Sequence, residues 1–418
     1  MSGTEGREAM TKPGILYVTY GFPYPLSSGM RVRNHYLIKA ISRRYAVSLL
    51  TLAESEAELA HLDALRPYCV SVDAVVATPY STRQHALGVA RCLVRGKPLH
   101  THLLGYPAMR AKVAELAARW DVRLVQIEHS YMAHYLQALP PAYRCRTILE
   151  FPDLGSVQYG RMLRLRISPQ RKARYLWEWW TARRWEPRYA RQFDQCVVVS
   201  PEDARVLRQA DPTLPITVVD NGVDTERLRP LPDAAGSADL LFIGTMHYAP
   251  NLDAVHYFVQ HVLPEVQRRV PEARLIVVGK SPPESVRALN NGRDVIVTGE
   301  VPAVEPYYAQ CAVSVVPLRA GGGTRLKILE SMALGRPVVS TTVGCEGLEV
   351  RDGEHLLVAD EPRTLAAKVV ALLQDGDLRC ALAARARRLV ERRYAWPILG
   401  ERLMATYDAL LAQPVPKM

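Results

Sequence analysis

Short apolar runs separated by helical patterns repeat along most of the chain. Runs of this kind, flanked by polar or glycine-containing loops, are typical of strands that are buried on both faces. Strands that alternate with helices predict parallel sheets covered by helices on both sides. The first series of predicted strands comprises residues 14–20, 47–52, 70–77, 123–127, 147–151, 196–200 and 216–219.

A second series follows a segment rich in Pro, Ala and Gly. Its predicted strands are residues 240–243, 275–278, 295–298, 313–316, 338–341 and 356–358. The chain therefore predicts an α/β protein with two Rossmann-like, doubly wound parallel-sheet domains facing a cleft. The predicted parts are a disordered N-terminus (1–13), a first domain (14–228), a linker (229–239), a second domain (240–395) and a helix (396–418) that crosses back to the first domain.

Composition agrees with a globular protein of about two domains. The chain has 418 residues, 48% hydrophobic and 23% charged, and contains no apolar run long enough for a membrane helix. Seven scattered cysteines without a CxxC pair indicate neither a disulfide framework nor a zinc site. The N-terminus is polar and lacks an apolar signal core. We expect a cytoplasmic location.

Charge is distributed unevenly between the two halves. Residues 1–230 contain 32 Lys and Arg against 21 Asp and Glu, whereas residues 231–418 contain 21 of each. The asymmetry indicates an anionic partner for the first half. Part of it lies in residues 161–191, which hold ten Lys and Arg and four Trp. This stretch predicts contact with an anionic membrane, a groove for a polyprenyl-diphosphate acceptor, or a long core helix with solvated arginines. A membrane role would place the protein at the inner membrane face.

The stretch 319–337 has the composition of an anion site. Three glycines follow a predicted strand, and a helical pattern then begins at Thr324 and stops before Pro337. Glycines allow a close approach of the backbone to an anion, and a helix N-terminus presents unpaired N–H groups. The residues that carry this prediction are Gly321, Gly322, Gly323, Thr324, Arg325, Lys327 and Glu330. Oxyanions at the glycines and ribose hydroxyls at Glu330 would suit a nucleoside diphosphate. The alternative is an ordinary strand–turn–helix with a surface Lys–Glu pair.

Several motifs together resemble the family 4 retaining glycosyltransferases of the two-Rossmann (GT-B) fold, in a branch associated with exopolysaccharide assembly. The resemblance covers nearly the whole chain, and the segment 322–330 is its most specific part. The motifs are Val-Asp-Asn-Gly-Val-Asp (219–224), Leu-Phe-Ile-Gly-Thr-Met (241–246), Pro-Asn (250–251), Gly-Glu-Val (299–301) with Tyr308, and Gly-Gly-Thr-Arg-Leu-Lys-Ile-Leu-Glu (322–330).

The resemblance implies a donor site in the second domain, on Gly244, Gly299, Glu300, Val301 and the 321–330 segment, with Glu330 at the ribose. It also exposes departures. Gly322 stands where the family usually has a first glutamate, and Met246 and Asn251 stand where related enzymes commonly carry an Arg and a Lys. We hypothesise that Arg325 and Lys327 supply the missing positive charge.

Candidates in the first domain follow its predicted strands. Ser28 and Gly29 end the first loop, and the family's corresponding loop approaches the donor phosphate and the acceptor. His129 follows the strand 123–127, where a family histidine often touches the sugar; the alternative is a structural histidine. Glu150 and Asp153 end another strand, and either acceptor contact or loop capping would explain them.

The sequence does not favour a metal ion or a cofactor. Asp375 and Asp377 match a DxD motif formally, but they lie between two helices where Asp is an expected cap. The resulting expectation is a metal-independent retaining hexosyltransferase that moves a sugar from a UDP- or GDP-linked donor to a glycan or polyprenyl-diphosphate-linked acceptor. The alternative is a catalytically silent homologue that binds a nucleotide-sugar or glycan as a scaffold. No nucleic-acid recognition module accompanies the basic half.

Overall fold

The first of two compact units is built on a parallel sheet. The computed structural model describes residues 12–165, 168–322 and 325–414, and the first unit takes residues 12–160, 168–220 and 396–414 of these. Its seven strands are ordered β3-β2-β1-β4-β5-β6-β7. They are β1 (Gly14–Thr19), β2 (Ala46–Ala53), β3 (Ser71–Val76), β4 (Val122–Glu128), β5 (Arg146–Phe151), β6 (Gln195–Val198) and β7 (Ile216–Val218).

The second unit repeats this architecture with six parallel strands. It takes residues 161–165, 221–322 and 325–395 of the described chain, and its sheet order is β10-β9-β8-β11-β12-β13. The strands are β8 (Asp239–Ile243), β9 (Arg274–Val278), β10 (Val295–Gly299), β11 (Val313–Val316), β12 (Val338–Ser340) and β13 (Leu357–Val358).

Helices connect the strands and cover the sheets. The α-helices are Gly29–Ile41, Thr82–Arg95, His100–Leu103, Pro107–Arg119, Gly155–Met162, Pro169–Ala190, Pro201–Ala210, Ala249–Tyr257, Leu263–Gln267, Glu284–Arg287, Glu305–Gln310, Leu326–Ala333, Pro362–Gln374, Gly376–Leu389 and Trp396–Leu411. The 3₁₀ segments are Glu56–Ala64, Arg66–Tyr68 and Ser130–Ala138, and the π segments are Phe258–Val262 and Val390–Tyr394. These elements confirm the predicted α/β class with two parallel-sheet domains. The apolar runs of the inner strands are buried because these parallel strands are packed on both faces, whereas β3, β7 and most of β10 are half-buried at sheet edges.

The last helix, Trp396–Leu411, belongs to the first unit. Trp396, Leu399, Leu403 and Tyr407 are buried in one cluster with apolar residues of β1. Gly400 lies so close to the helix Gly29–Ile41 that a Cβ there would stand 2.3 Å from the Cβ of Ala40. The helix Trp396–Leu411 and β1 therefore belong to the same hydrophobic core.

The predicted linker 229–239 is held on the second unit. The amide of Leu231 donates to the carbonyl of Leu334 at 3.0 Å, and the Arg336 guanidinium donates to the carbonyl of Pro232 at 2.6 Å. Asp233 forms an ion pair with Arg379 at 2.8 Å. The contacts divide the chain between Asp220 and Asn221, earlier than the proline-rich composition indicates.

The basic helix Pro169–Ala190 turns both of its acidic residues inward. Glu178 and Glu186 are buried, and Glu186 accepts a hydrogen bond from the Ser156 hydroxyl at 2.6 Å. Burial raises the pKa of both carboxyl groups to about 7. Its arginines and Trp180 face outward, so this is an amphipathic helix with one buried face. Within the described ranges, no helix has the length and apolar character needed to span a bilayer.

Candidate functional site

In the second unit, the candidate site lies at the point where the strand order reverses. β8 has β9 on one side and β11 on the other. Ligands of open parallel sheets bind beyond the carboxyl ends of the strands at such a point. Gly244 directly follows β8, and Gly321 lies in the loop that follows β11. Two of the glycines predicted to bind the donor are therefore at the expected edge of the sheet.

Lys327 brings a positive charge to the end of β8. It is the second residue of the helix Leu326–Ala333, which buries its apolar residues Ile328, Leu329 and Met332. Its Nζ donates to Asn251 Oδ1 at 3.0 Å and lies 4.3 Å from the ring centroid of Phe242. A Cβ at residue 244 would stand only 2.8 Å from this Nζ, so glycine at 244 leaves the space that the ammonium group occupies.

Arg325 places a second cation at the start of the same helix. It is buried, and its guanidinium donates to the carbonyl of Gly322. Gly321 has φ = +120°, and a Cβ there would be 2.9 Å from Arg325 Nη2. A side chain at residue 321 would thus be strained and would displace the guanidinium. Gly323 and Thr324, also predicted to bind the donor, lie outside the described residues.

Lys327 and Glu330 are half-buried, and desolvation shifts the pKa of both side chains. Desolvation, with a smaller contribution from the nearby Arg325 charge, lowers the pKa of Lys327 to about 7. Desolvation also raises the pKa of Glu330 to about 7. An ammonium group in such surroundings gains more from an incoming anion than a solvated one, because little water screens the attraction.

The hydroxyls of Tyr308 and Ser331 support the backbone of Lys327. Ser331 Oγ donates to the Lys327 carbonyl at 2.8 Å, and the buried Tyr308 lies against both groups. Tyr308, which the sequence singles out only as part of a motif, therefore holds the helix that carries the charge.

At the outer edge of this sheet, β10 ends at Gly299 with φ = +76°. Apart from its two chain neighbours, no residue that the structure describes has an atom within 4 Å of a Cβ built there. Glu300 is exposed and Val301 is half-buried against the core. This loop is therefore open, and it follows the same carboxyl edge as Gly244.

The first unit has its own reversal of strand order, at β1 between β2 and β4. His129 directly follows β4 with φ = +72°, and its amide donates to the Glu150 carbonyl at 2.7 Å. Its Nε2 lies 3.3 Å from Asp153 Oδ1, and its ring stacks on Tyr131 with centroids 3.6 Å apart. A non-glycine residue with positive φ is uncommon and is more frequent at functional sites. The structure thus brings the predicted His129 and Asp153 together.

Ser28 and Gly29 lie at the beginning of a helix in the same unit. Gly29 is exposed and is the first residue of the helix Gly29–Ile41. Ser28 is the N-cap, but its hydroxyl makes no capping hydrogen bond to this helix. Both residues follow β1 and so belong to the edge where His129 lies.

Glu150 does not reach that edge, which corrects both interpretations offered for it. Its side chain is fully buried and pairs with Arg33 at 2.5 Å. It also accepts hydrogen bonds from Tyr17 at 2.7 Å and from Gln126. An acceptor contact requires an accessible carboxylate, and loop capping requires a bond to a loop amide. Glu150 instead stabilises the interior of the first unit, and the sequence does not identify Arg33 as its partner.

The formal DxD motif is a helix cap. Asp375 Oδ1 accepts a hydrogen bond from the amide of Leu378 at 2.8 Å, as expected at an N-cap. Across the described part of the chain, no group of three or more His, Cys, Asp or Glu side chains is placed to hold a metal ion.

Two protein families match the chain in succession. Residues 27–227 match the family described as Glycosyltransferase Family 4, and residues 237–375 match Glycosyl transferases group 1. A GDP-mannose-dependent α-(1-6)-phosphatidylinositol monomannoside mannosyltransferase of Mycobacterium tuberculosis is 29% identical over 208 residues, 44% of this chain and 53% of that protein. The chain thus spans about half the length of the curated relatives it matches.

Solved structures with the same fold cover almost the whole chain. Sucrose-phosphate synthase from Thermosynechococcus elongatus superposes with a TM-score of 0.74 at 18% identity, covering 96% of this chain and all of that one. Anabaena HepE in complex with UDP superposes with a TM-score of 0.67 at 16% identity, covering 95% and 100%. At these identities the likeness shows the fold, which is GT-B.

Proposed function

We propose that this chain, a family 4 glycosyltransferase by the families that match its two halves, transfers a sugar from a nucleotide-diphosphate sugar with retention at the anomeric carbon. The observation that carries the proposal is the position of Lys327 Nζ beside Gly244, at the carboxyl end of β8. The donor would be UDP- or GDP-linked. A relative named for GDP-mannose and a structural neighbour that binds UDP support this choice.

The proposed roles follow from where charge develops. When the bond between the anomeric carbon and the phosphate oxygen breaks, the leaving diphosphate gains negative charge, so preorganised cations there lower the barrier. Lys327 and Arg325 would supply these cations without a metal ion or cofactor. Glu330, three residues beyond Lys327 on the same helix, would accept hydrogen bonds from the ribose hydroxyls. Gly299, Glu300 and Val301 would lie at the base.

Retention would arise by reaction on one face of the sugar. The acceptor oxygen would form its bond to the anomeric carbon from the side that the diphosphate leaves. The acceptor proton would pass to the departing phosphate oxygen. In the first unit, Gly29 and Ser28 would lie near the donor phosphate and acceptor, with His129, oriented by Asp153, at the sugar. The acceptor would be a glycan or a polyprenyl-diphosphate-linked sugar in cell-surface polysaccharide synthesis.

Donor hydrolysis without an acceptor separates this enzyme from a silent nucleotide-sugar-binding homologue. Purified chain is incubated with a panel of UDP- and GDP-sugars, and nucleoside diphosphate release is measured beside binding. We expect slow hydrolysis of one donor. Tight binding of a donor with no release and no transfer to any acceptor would favour the silent homologue.

Variants at Lys327 test its role. Lys327→Met should weaken donor affinity and hydrolysis at least tenfold, because it removes a poorly screened charge from the diphosphate. Since burial lowers the pKa of Lys327 to about 7, its ammonium form is lost as pH rises above 7, and wild-type affinity should fall there. Lys327→Arg, which stays charged, should remove the part of this pH dependence that Lys327 causes and leave the part due to Glu330, whose pKa is also about 7. Lys112→Met, at a surface lysine of the first unit, serves as the control. Unchanged affinity in Lys327→Met would refute the assignment.

A further inference from the structure

Large apolar side chains are exposed together on two helices of the first unit. Among the described residues, seven large hydrophobic side chains are exposed, and five of them lie on these helices. The five, which we call the docking surface, are Leu87 (51% exposed), Leu93 (47%) and Val94 (88%) on the helix Thr82–Arg95, and Leu176 (52%) and Trp180 (44%) on the helix Pro169–Ala190. Single exposed apolar residues are ordinary, whereas a group of them indicates a partner.

The two helices meet where the first one ends. Gly96 terminates the helix Thr82–Arg95 with φ = +57°, and its carbonyl accepts a hydrogen bond from Trp185 Nε1 at 2.6 Å. A Cβ at Gly96 would lie 3.2 Å from the Trp180 ring. Val94 precedes Gly96 by two residues, so it lies at the end of its helix that packs beside Trp180.

Only positive charges surround this surface on the two helices. The helix Thr82–Arg95 has three arginines and no acidic residue, and the helix Pro169–Ala190 has six Lys and Arg. The two glutamates of the second helix are buried. Arg184 and Arg188 lie over the rings of Trp180 and Trp185, at 5.8 and 5.6 Å from the ring centroids. Aromatic rings beside arginines are typical of surfaces that lie at a membrane interface.

We propose that the docking surface binds the headgroup region of an anionic membrane. Val94, Leu93 and Trp180 insert at the boundary between headgroups and acyl chains, and the surrounding arginines pair with lipid phosphates. This inference rests on the proposed function. A lipid-linked acceptor lies in such a membrane, so binding there would bring the enzyme to its acceptor. The most exposed residue of the docking surface, Val94, lies on the helix Thr82–Arg95, outside the basic segment 161–191.

The charge and the apolar groups of the docking surface disfavour two other partners, a second copy of this chain and a nucleic acid. A second copy related by a two-fold axis would bring identical arginine-rich surfaces together, which like-charge repulsion opposes. A nucleic acid would satisfy the arginines, but its phosphate backbone offers nothing to the exposed Val94 and Leu93. An anionic bilayer satisfies both the cations and the apolar groups.

Vesicle sedimentation tests the apolar part. Wild-type chain, Val94→Asp and the control Ile398→Asp are mixed with phosphatidylcholine vesicles that contain or lack phosphatidylglycerol. Ile398 is an exposed apolar residue outside the docking surface. We expect binding to the anionic vesicles only, a loss of about tenfold or more in Val94→Asp, and no loss in Ile398→Asp.

A pair of double variants tests the charge. Arg183→Glu/Arg184→Glu should weaken partitioning strongly, since each basic residue near an anionic surface contributes about fivefold. Arg287→Glu/Arg293→Glu has the same change in net charge on exposed arginines of the second unit and should have little effect. Equal losses in both pairs would show that only overall charge matters and would overturn the proposed surface.

Three further results would overturn the proposal: no wild-type binding to anionic vesicles, equal binding to neutral ones, or a dimer in light scattering that Val94→Asp dissociates. These measurements use neither donor nor acceptor. A chain that binds anionic vesicles through the docking surface but hydrolyses no donor and transfers no sugar would therefore count against the proposed function and for the docking surface.

Discussion

The side chains of Lys327 and Asn251 are hydrogen-bonded to each other although the residues are 76 positions apart in the chain. The amide of Asn251 is itself fixed, because its Nδ2 donates to the Thr245 carbonyl at 2.9 Å. Its Oδ1 is then turned toward the Lys327 ammonium. A neutral residue at 251 therefore does not leave the end of β8 without charge. The charge arrives from the helix Leu326–Ala333 instead.

This geometry predicts that the charge can be moved between the two residues. Lys327→Met should lose donor affinity, and adding Asn251→Lys to that variant should restore at least part of it, because the new ammonium group can reach the same point. The control is His256→Lys in the Lys327→Met background, which adds an equal charge on another face of the helix Ala249–Tyr257. Donor affinity is measured by calorimetry. Equal affinities of the two double variants would contradict the prediction.

Sequence reasoning identified Lys327 but not its environment. Its place after three glycines indicates an anion site, whereas its contact with Asn251 depends on how distant segments pack. Glu150 shows the same limit more sharply. A carboxylate at the end of a parallel strand is expected to lie in a cleft, and only its buried ion pair with Arg33, 117 residues away, reveals a structural role.

At the scale of elements, two glycine turns fit against each other beside Lys327. Gly279 follows β9 with φ = +156°, and a Cβ there would stand 1.8 Å from the carbonyl oxygen of Gly244. That contact is with backbone and cannot be relieved by a side-chain rotation. The turn after β8 therefore keeps its position only while residue 279 is glycine.

Gly279→Ala should reduce both stability and donor affinity. The control is Gly292→Ala, where φ is +69° and, chain neighbours aside, none of the described residues has an atom within 4 Å of the added Cβ. Both residues have a positive φ, which costs a non-glycine residue on the order of 1–3 kcal/mol, but only Gly279→Ala displaces Gly244. Thermal unfolding and donor titration measure the two effects. A pair of variants with matching donor affinities would show that the contact between the turns does not shape the site.

The apolar pattern identifies strands better than helices in this chain. Strands such as β1, buried at all six residues, appear in the sequence as continuous apolar runs. The helix Thr82–Arg95 buries only Gly88 and Cys92 and leaves Leu87, Leu93 and Val94 exposed, so its apolar side chains do not mark a buried face. The 3₁₀ segment Ser130–Ala138, which follows His129, lacks the period of an α-helix. In these two elements the sequence pattern does not show which residues the structure buries.

On the scale of the whole molecule, the last helix, Trp396–Leu411, completes the core of the first unit. The Tyr407 hydroxyl donates to Gln126 Oε1 at 2.5 Å, and Arg402 pairs with Asp220 at 2.6 Å. The apolar positions of residues 396–411 predict a helix with a buried face. The family resemblance implies that this helix packs against the first domain. The contacts that fix the helix lie about 180 to 280 residues apart in sequence and are visible only in the structure.

At Gly400 the last helix packs closely against the helix Gly29–Ile41. Replacing glycine by alanine within a helix normally stabilises it by about 1 kcal/mol. At residue 400 the added methyl would meet Ala40 at 2.3 Å, so Gly400→Ala should instead destabilise the first unit by roughly 1–3 kcal/mol. Gly376→Ala is the matched control, because its new Cβ would make an ordinary 3.5 Å contact with Arg379. Calorimetric unfolding should therefore show a lower melting temperature for Gly400→Ala and an unchanged or higher one for Gly376→Ala. A melting temperature that rises in both would mean that the last helix can shift away from the helix Gly29–Ile41 without loss, and that its packing there contributes little to the first unit.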